Sequence, residues 1–286
     1  MKTIVFCSEK GGTGKSSSLI LVARAVAEQL NENYEQHDGQ EERELDFVKD
    51  FWAFVPERKK VLVIDLDTLG SSSSHFMPEN LKEQDFHNCK HVAAAITDDS
   101  NDSLRDYIIT SEYEGIDLLR SSESIRRINF PQNIIRNKMR GSLLEQYYDF
   151  VFIDTPAAYN PLHISALTAA DTIVTPVNPS LFDLSASEHL GKWISQDVSE
   201  DVTWRFFFTM MKPDNKGQDE YVDMFKNQFG PEHFYDFEIP DSVKVTSAID
   251  RHYMISHYSA YQKLRNSLCG LASAMTGITV DPVGRF

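Results

Sequence analysis

The chain has 286 residues and carries 43 acidic against 28 basic side chains, a formal net charge of −15, which disfavours a broad nucleic-acid-binding surface. Its three cysteines are widely spaced and form no C-x-x-C pair, which argues against a disulfide framework or a cysteine metal site. No apolar run approaches the ~20 residues of a membrane span, and the first one leads into a glycine-rich loop instead of a secretory signal, so a cytoplasmic protein is expected.

The first feature along the chain is a glycine-rich segment that follows a short apolar run and precedes an apolar-periodic stretch. The run 3–7 predicts a strand, and residues 19–27 predict a helix. Strand, glycine-rich turn and helix in this order are the setting of a phosphate-binding loop. The residues that would line the phosphates are Gly11, Gly12, Thr13, Gly14, Lys15, Ser16 and Ser17.

Each residue type in this loop suits a bound nucleotide. Glycines allow the sharp turns that bring backbone N–H groups to phosphate oxygens, and the following helix directs its positive end at them. Lys15 would reach the β- and γ-phosphates as a point charge. The hydroxyl of Ser16 would ligate Mg²⁺.

The loop departs from the general phosphate-loop pattern at one position. That pattern requires a glycine at position 9, where this chain has Glu9, and a second lysine, Lys10, precedes the glycine pair. The string K-G-G-T-G-K-S-S resembles the deviant Walker A motif of the ParA/MinD family of ATPases. The resemblance implies that ATP is the nucleotide, that Lys10 crosses a dimer interface to the partner's ATP, and that Lys10 and Lys15 both serve catalysis.

The sequence turns acidic after the first helix, which we expect to end near Leu30. Residues 31–50 hold eight acids against two basic residues. Because the ParA family usually has a short connection here, residues 31–58 resemble an insertion within a single P-loop ATPase domain that spans 1–286. The plain interpretation of this segment is a solvated surface loop that could contain a helix over 41–54, and a partner-binding role stays open.

The next predicted strand ends in two acids. The run 61–67 is apolar except for Asp65 and Asp67, which fits a strand buried on both faces of a parallel sheet. Ligand sites lie at the carboxyl ends of such strands, and carboxylates there require a cation, so we expect Asp65 to contribute to a Mg²⁺ site. The resemblance implies that Asp67 positions or activates the hydrolytic water, although Thr68-Leu69 replaces the family's Pro-Gln. The glycine–serine run 70–74 predicts a loop.

A second acid-terminated strand is predicted over 148–154. Its last residue, Asp154, completes a Walker B pattern and would orient Mg²⁺, mostly through water. Further strands are predicted over 115–119, 171–177 and 204–209. Strands that alternate with helices indicate one α/β architecture.

Two later segments resemble the family's base-binding segments. Residues 209–212 resemble its T-M-x-x segment beside the adenine, and residues 238–243 resemble its I-P-x-x-V turn. The resemblance therefore places Met210, Pro240 and Asp241 around the base.

The resemblance covers nearly the whole chain, from Lys2 to about Ala274. It implies a doubly wound, mostly parallel sheet with helices on both faces. The tail 261–275 has apolar residues at helical spacing and is predicted to pack into the core, since its basic face is thin for a membrane helix. Because the chain begins almost at the loop, we expect no N-terminal DNA-reading domain like that of the larger plasmid ParA proteins.

The function implied is that of a ParA-type plasmid or chromosome partition ATPase. ATP would drive a sandwich homodimer that binds DNA without sequence preference, and a ParB-like partner would trigger hydrolysis. The protein would then be nucleoid-associated. The first candidate DNA contacts are Lys244, Arg251, Lys263 and Arg265. The second set, from a basic stretch over 119–140, is Arg126, Arg127 and Arg136.

Three alternatives share the fold. A MinD-like membrane-cycling regulator is disfavoured by the tail. A metabolic or metal-carrier enzyme is disfavoured by the lysine before the glycine pair and by the missing C-x-x-C. A positioning or secretion ATPase with a protein partner stays open because the net charge is −15.

Overall fold

A computed structural model describes residues 1–44, 60–82, 90–98, 104–129, 131–157, 160–250 and 262–282. One seven-stranded sheet forms its centre. The strands are β1 Lys2–Phe6, β2 Lys60–Asp65, β3 Ile109–Thr110, β4 Ile116–Leu119, β5 Tyr148–Asp154, β6 Thr172–Val177 and β7 Thr203–Phe208. They lie in the order β3-β4-β2-β5-β1-β6-β7, and every pair is parallel except β3–β4. The predicted doubly wound, mostly parallel sheet is confirmed.

The strands follow the apolar runs of the sequence because their side chains are buried on both faces. In β5, six of the seven residues are buried, as expected for the centre of a parallel sheet. All six predicted strands are present. The sequence interpretation missed β3, since two residues are too short to show a period.

Helices cover both faces of the sheet. They are α1 Lys15–Glu44, α2 Ser71–Phe76, α3 Glu79–Lys82, α4 Val92–Thr97, α5 Ile134–Gly141, α6 Pro161–Ala169, α7 Leu181–Asp197, α8 Lys216–Phe229, α9 Val243–Asp250 and α10 Gln262–Thr276. Alternate side chains of β1 divide between two cores: Ile4 packs with α1 and α10, and Val5 packs with α4 to α7. The tail prediction is confirmed, because Leu264, Leu268 and Leu271 of α10 are buried.

The prediction that the first helix ends near Leu30 is wrong. Helix α1 continues to Glu44, so the first part of the acidic segment extends this helix. Apolar periodicity stops at Leu30, but Glu and Gln are good helix formers and no proline follows before Glu44. The rest of the acidic segment lies outside the described residues. Among those described, no helix combines the length and apolar character needed to cross a bilayer.

An aromatic cluster fixes α8 to the edge strand β7. Phe225 of α8 packs against Phe208 of β7 with ring centroids 6.0 Å apart, and Phe234 stacks on Phe208 at 5.1 Å. All three rings are buried. This packing sets the position of the segment that joins β7 to α8, which lies close to the glycine-rich loop.

Candidate nucleotide-binding site

The glycine-rich loop lies between β1 and α1, at the carboxyl end of the central strands, and polar side chains brace it. The hydroxyl of Ser8 donates to the carbonyl of Lys10 at 2.8 Å and lies 3.0 Å from the hydroxyl of Thr13. The hydroxyl of Thr209, which directly follows β7, donates to the carbonyl of Thr13 at 2.9 Å. Sequence reasoning missed Ser8 and Thr209, which hold the loop in place without being part of its motif.

The loop's backbone forms a cradle that suits phosphate oxygens. Gly12 and Gly14 have φ values of +80° and +82°, a region that residues with side chains rarely adopt. A β-carbon on Gly12 would meet no atom within 4 Å, so this side of the loop is open to a ligand. Helix α1 begins at Lys15 with no acid in its first turn, which leaves its positive end directed at the cradle.

Lys15 and Asp154 form the charged centre of the site. Lys15 is 8% exposed, and its Nζ lies 3.9 Å from Oδ1 of the fully buried Asp154. Ser72 donates to Oδ2 of Asp154 at 2.7 Å, whereas Oδ1 accepts no hydrogen bond within 3.5 Å from the described residues. Burial raises the pKa of Asp154, and the Lys15 charge and the neighbouring Ser16 and Ser72 hydroxyls act in the opposite direction.

A magnesium ion fits the residues gathered here. Asp65 and Asp154 are paired across β2 and β5, and burial together with the charge of Asp154 raises the pKa of Asp65. Two buried carboxyl groups that lie side by side, with the single ammonium of Lys15 3.9 Å from one of them, form a site that a further cation would stabilise. Oxygen atoms are the donors that Mg²⁺ prefers, and the predicted ligands Ser16, Asp65 and Asp154 all offer them. Oδ1 of Asp154 accepts no hydrogen bond from the described residues, whereas both oxygens of Asp65 do.

Asp65 also organises the loop that follows it. Its Oδ2 accepts from both the backbone N–H and the hydroxyl of Ser73 at 2.7 Å, and its Oδ1 accepts from the N–H of Asp67 at 3.0 Å. The prediction of a loop over 70–74 is wrong, since α2 begins at Ser71. Composition favoured a loop, but the buried Asp65 carboxylate satisfies a free N–H in the first turn of α2.

Asp67 lies just beyond β2, partly exposed, in a tightly bonded turn. Its Oδ1 accepts from the N–H of Leu69 at 3.0 Å, and its carbonyl accepts from the hydroxyl of Ser121 at 2.6 Å. Ser121 follows β4 and also donates its N–H to the hydroxyl of Ser73 at 2.8 Å. Ser121 therefore holds the carbonyl of Asp67, and Ser73 joins Ser121 to Asp65; sequence reasoning missed both serines.

A cleft of about 440 Å³ adjoins Asp67. Arg126 donates through Nε to the hydroxyl of Thr68 at 2.8 Å, and Leu69 is exposed at the rim. The cleft is lined by Leu66, Asp67, Thr68, Leu69, Ile125, Arg126, Ile128, Pro156, Ala157, Asn160, Pro161 and Leu162. Arg126, one of the second set of candidate DNA contacts, is thus bonded to the Asp67 loop.

Lys10 forms an ion pair within its own chain. Its Nζ lies 2.5 Å from Oδ2 of Asp183, near the start of α7. Asp183 is 2% exposed and also accepts from the hydroxyl of Ser180 at 2.6 Å and from the N–H of Asn178 at 3.3 Å. Asp183 was not identified from the sequence, because 173 residues separate it from Lys10.

The residues assigned to the base come together beside the phosphate loop. Met211 pairs with Pro240 in a short parallel bridge, and the N–H of Asp241 donates to the carbonyl of Met211 at 2.9 Å. Met210 precedes this bridge and follows Thr209, which bonds the phosphate loop. A nucleotide that extends from the loop would therefore meet this wall, called here the base wall (residues 210–212 and 240–241).

The candidate DNA contacts lie on one layer of helices. Lys244 is on α9, and Lys263 and Arg265 are on α10; both helices pack against α1. Lys244 and Lys263 are exposed, and Arg265 is half-buried. Arg251 lies outside the described residues.

A glycine-rich loop between β1 and α1, with acids at the carboxyl ends of β5 beside it and of β2 next to β5, defines a P-loop nucleoside-triphosphate-binding protein. A family profile described as "AAA domain" (AAA_31) matches residues 52–202, more than half of the chain. The chain belongs to this family and is a ParA/MinD family ATPase by sequence and fold.

Individual relatives are distant but cover most of the chain. The virulence plasmid ParA family protein pGP5-D of Chlamydia psittaci is 22% identical, over 78% of this chain and 75% of its own. The chromosome-partitioning ATPase Soj of Treponema pallidum is 24% identical, over 93% and 96%. A putative plasmid partition protein from Borrelia burgdorferi, solved with AMPPNP, shares the fold at a TM-score of 0.71 and 17% identity, over 97% and 99%.

Proposed function

We propose that this protein hydrolyses ATP to ADP and phosphate at the site between the glycine-rich loop and the ends of β2 and β5. The observation that carries the proposal is the convergence of Lys15, Asp154 and Asp65 beside an open backbone cradle, with Asp67 two residues beyond Asp65. Lys15 and the loop N–H groups bind the phosphates, and Ser16 and Asp154 would hold Mg²⁺, which neutralises phosphate charge when bound. Asp67 orients the attacking water.

Asp67→Ala tests this assignment. We expect ATP affinity within about threefold of the wild type and a turnover lower by about 10²–10⁴-fold, the usual contribution of a group that orients or deprotonates a nucleophile. Asp67→Asn is the matched variant, because an amide oxygen keeps the acceptor for the Leu69 N–H without the charge. We expect the turnover of Asp67→Asn to be as low as that of Asp67→Ala. Loss of ATP binding in Asp67→Ala would make this residue a structural one.

We further propose that ATP drives a homodimer that positions plasmid or chromosomal cargo on DNA. Lys10 is the link: its flexible ammonium leaves Asp183 and meets the phosphates bound by the second subunit. The dimer then presents two copies of the Lys244, Lys263 and Arg265 surface, and linked weak sites gain avidity by ~10²–10⁴. Salt screening limits the distance over which each charge acts to about 8–10 Å. The DNA backbone therefore interacts with the local basic surface more than with the net charge of −15.

DNA retention is the measurement for this second step. We expect the wild type to retain random-sequence duplex with ATP and not with ADP, and retention to weaken steeply as salt rises. Lys244→Ala/Lys263→Ala/Arg265→Ala should abolish retention while the ATP dimer persists. The matched control removes three exposed lysines on α7 and α8, Lys192, Lys216 and Lys226, and should leave retention unchanged.

A protein partner is the second candidate for the ATP-bound surface. The net charge of −15 favours it, as do the exposed apolar side chains of Leu69, in the turn after β2, and of Leu181 and Phe182, in the first turn of α7. Absence of wild-type DNA retention with ATP at low salt would select this candidate.

A further inference from the structure

Gln218 is a buried polar residue that has no part in phosphate binding, magnesium binding or the proposed dimer. It is 8% exposed and lies in the first turn of α8. Its Oε1 accepts from the N–H of Lys212 at 2.8 Å, and its Nε2 donates to the carbonyl of Met210 at 3.0 Å. A longer contact, 3.4 Å, joins Nε2 to Oδ1 of Asn178 after β6. One carboxamide therefore ties two points of the base wall to a neighbouring loop.

These bonds hold a backbone conformation that is unfavourable by itself. Met210 has a φ of +56°, in the left-handed region that non-glycine residues seldom occupy. Such conformations persist where the surroundings impose them, and they cluster at ligand sites. Gln218 supplies two of the constraints, on the carbonyl of Met210 and on the N–H two residues later.

The helix that carries Gln218 is itself firmly placed. Phe225, seven residues further along α8, packs in the aromatic cluster against β7. Asn215 caps the helix by accepting from the N–H groups of Gly217 and Gln218. A site is held more accurately by residues on a well-packed helix with a fixed N-terminal cap than by loop residues.

From this geometry we infer that Gln218 is a positioning residue for the nucleotide base. It holds Met210 and Lys212 so that the base wall is preformed against Pro240 and Asp241. The inference rests on the proposed nucleotide site and extends it to a residue on another element. Because Gln218 bonds the base wall and not the phosphate loop, its loss should weaken binding of the base while phosphate binding persists.

The test compares ATP with inorganic tripolyphosphate, which has the phosphates and no base. Gln218→Met keeps the length and volume of the side chain and removes all three contacts. We expect its ATP affinity to fall about tenfold, as loss of two well-formed hydrogen bonds implies, with tripolyphosphate affinity within about twofold of the wild type. Glu220→Gln, an exposed change on the same helix, should alter neither affinity.

A second variant separates positioning from general stability. Gln218→Glu keeps an acceptor for the Lys212 N–H but faces the Met210 carbonyl with oxygen, so it should also lose ATP affinity selectively. The inference would be overturned if both folded variants kept the wild-type ratio of ATP affinity to tripolyphosphate affinity, whether the two affinities stayed unchanged or fell together. If the wild type bound neither ligand, the proposed function itself would fail.

Discussion

Lys15→Ala is expected to reduce ATP affinity by at least about 100-fold and to abolish turnover. The ammonium of Lys15 is nearly buried and is the cation beside Asp154, at 3.9 Å. Its removal takes charge-assisted hydrogen bonds from the phosphates, each contributing about 1.5–3 kcal/mol. It also leaves the buried Asp154 carboxylate without its counter-charge, which repels the nucleotide. Isothermal titration with ATP and a phosphate-release assay measure the two effects.

The control for this variant is the thermal midpoint without nucleotide, since a folded protein is needed for the comparison. Lys15→Gln keeps a polar side chain that can donate hydrogen bonds but has no charge, and it should share the defect, because the charge is what the phosphates require. ATP affinity within about threefold of the wild type in either variant would contradict the placement of the phosphates at this loop.

Lys10→Ala is expected to bind ATP as a monomer. The variant removes the charge proposed to reach the second subunit's phosphates, while Lys15 and the loop N–H groups remain. Asp183 keeps its bonds to Ser180 and Asn178 at the positive end of α7, so the fold should tolerate the loss. Light scattering with ATP should report one subunit where the wild type reports two.

Lys60→Ala is a well-matched control for Lys10→Ala. The side chain of Lys60 is 38% exposed against 40% for Lys10, and each lysine pairs with a largely buried aspartate, Asp117 or Asp183. Lys60 begins β2, at the opposite end of this strand from the site. The Lys60→Ala protein should therefore dimerise normally with ATP. An ATP-dependent dimer of Lys10→Ala would refute the proposed role of Lys10.

Much of the fold could be predicted from the chain because its signals are local. The apolar runs before Asp65 and Asp154 predict strands that the sheet contains, and the glycines before Lys15 predict the turn between β1 and α1. The predicted end of α1 was wrong because apolar periodicity stops at Leu30, whereas residues with high helix propensity continue to Glu44. Helix α2 was missed because its first turn depends on Asp65, a residue outside the serine run.

The sequence by itself determined the family, the sheet and the identity of the loop residues, because a phosphate loop and buried strands each need particular residues at short, regular spacing. Only the tertiary structure decided which side chains hold those residues in place. Ser73 on Asp65, Asp183 on Lys10 and Gln218 on the base wall act across elements that the fold brings together. A polar residue far along the chain has no local pattern that names its partner, since the hydrogen bond forms only once packing has buried both groups.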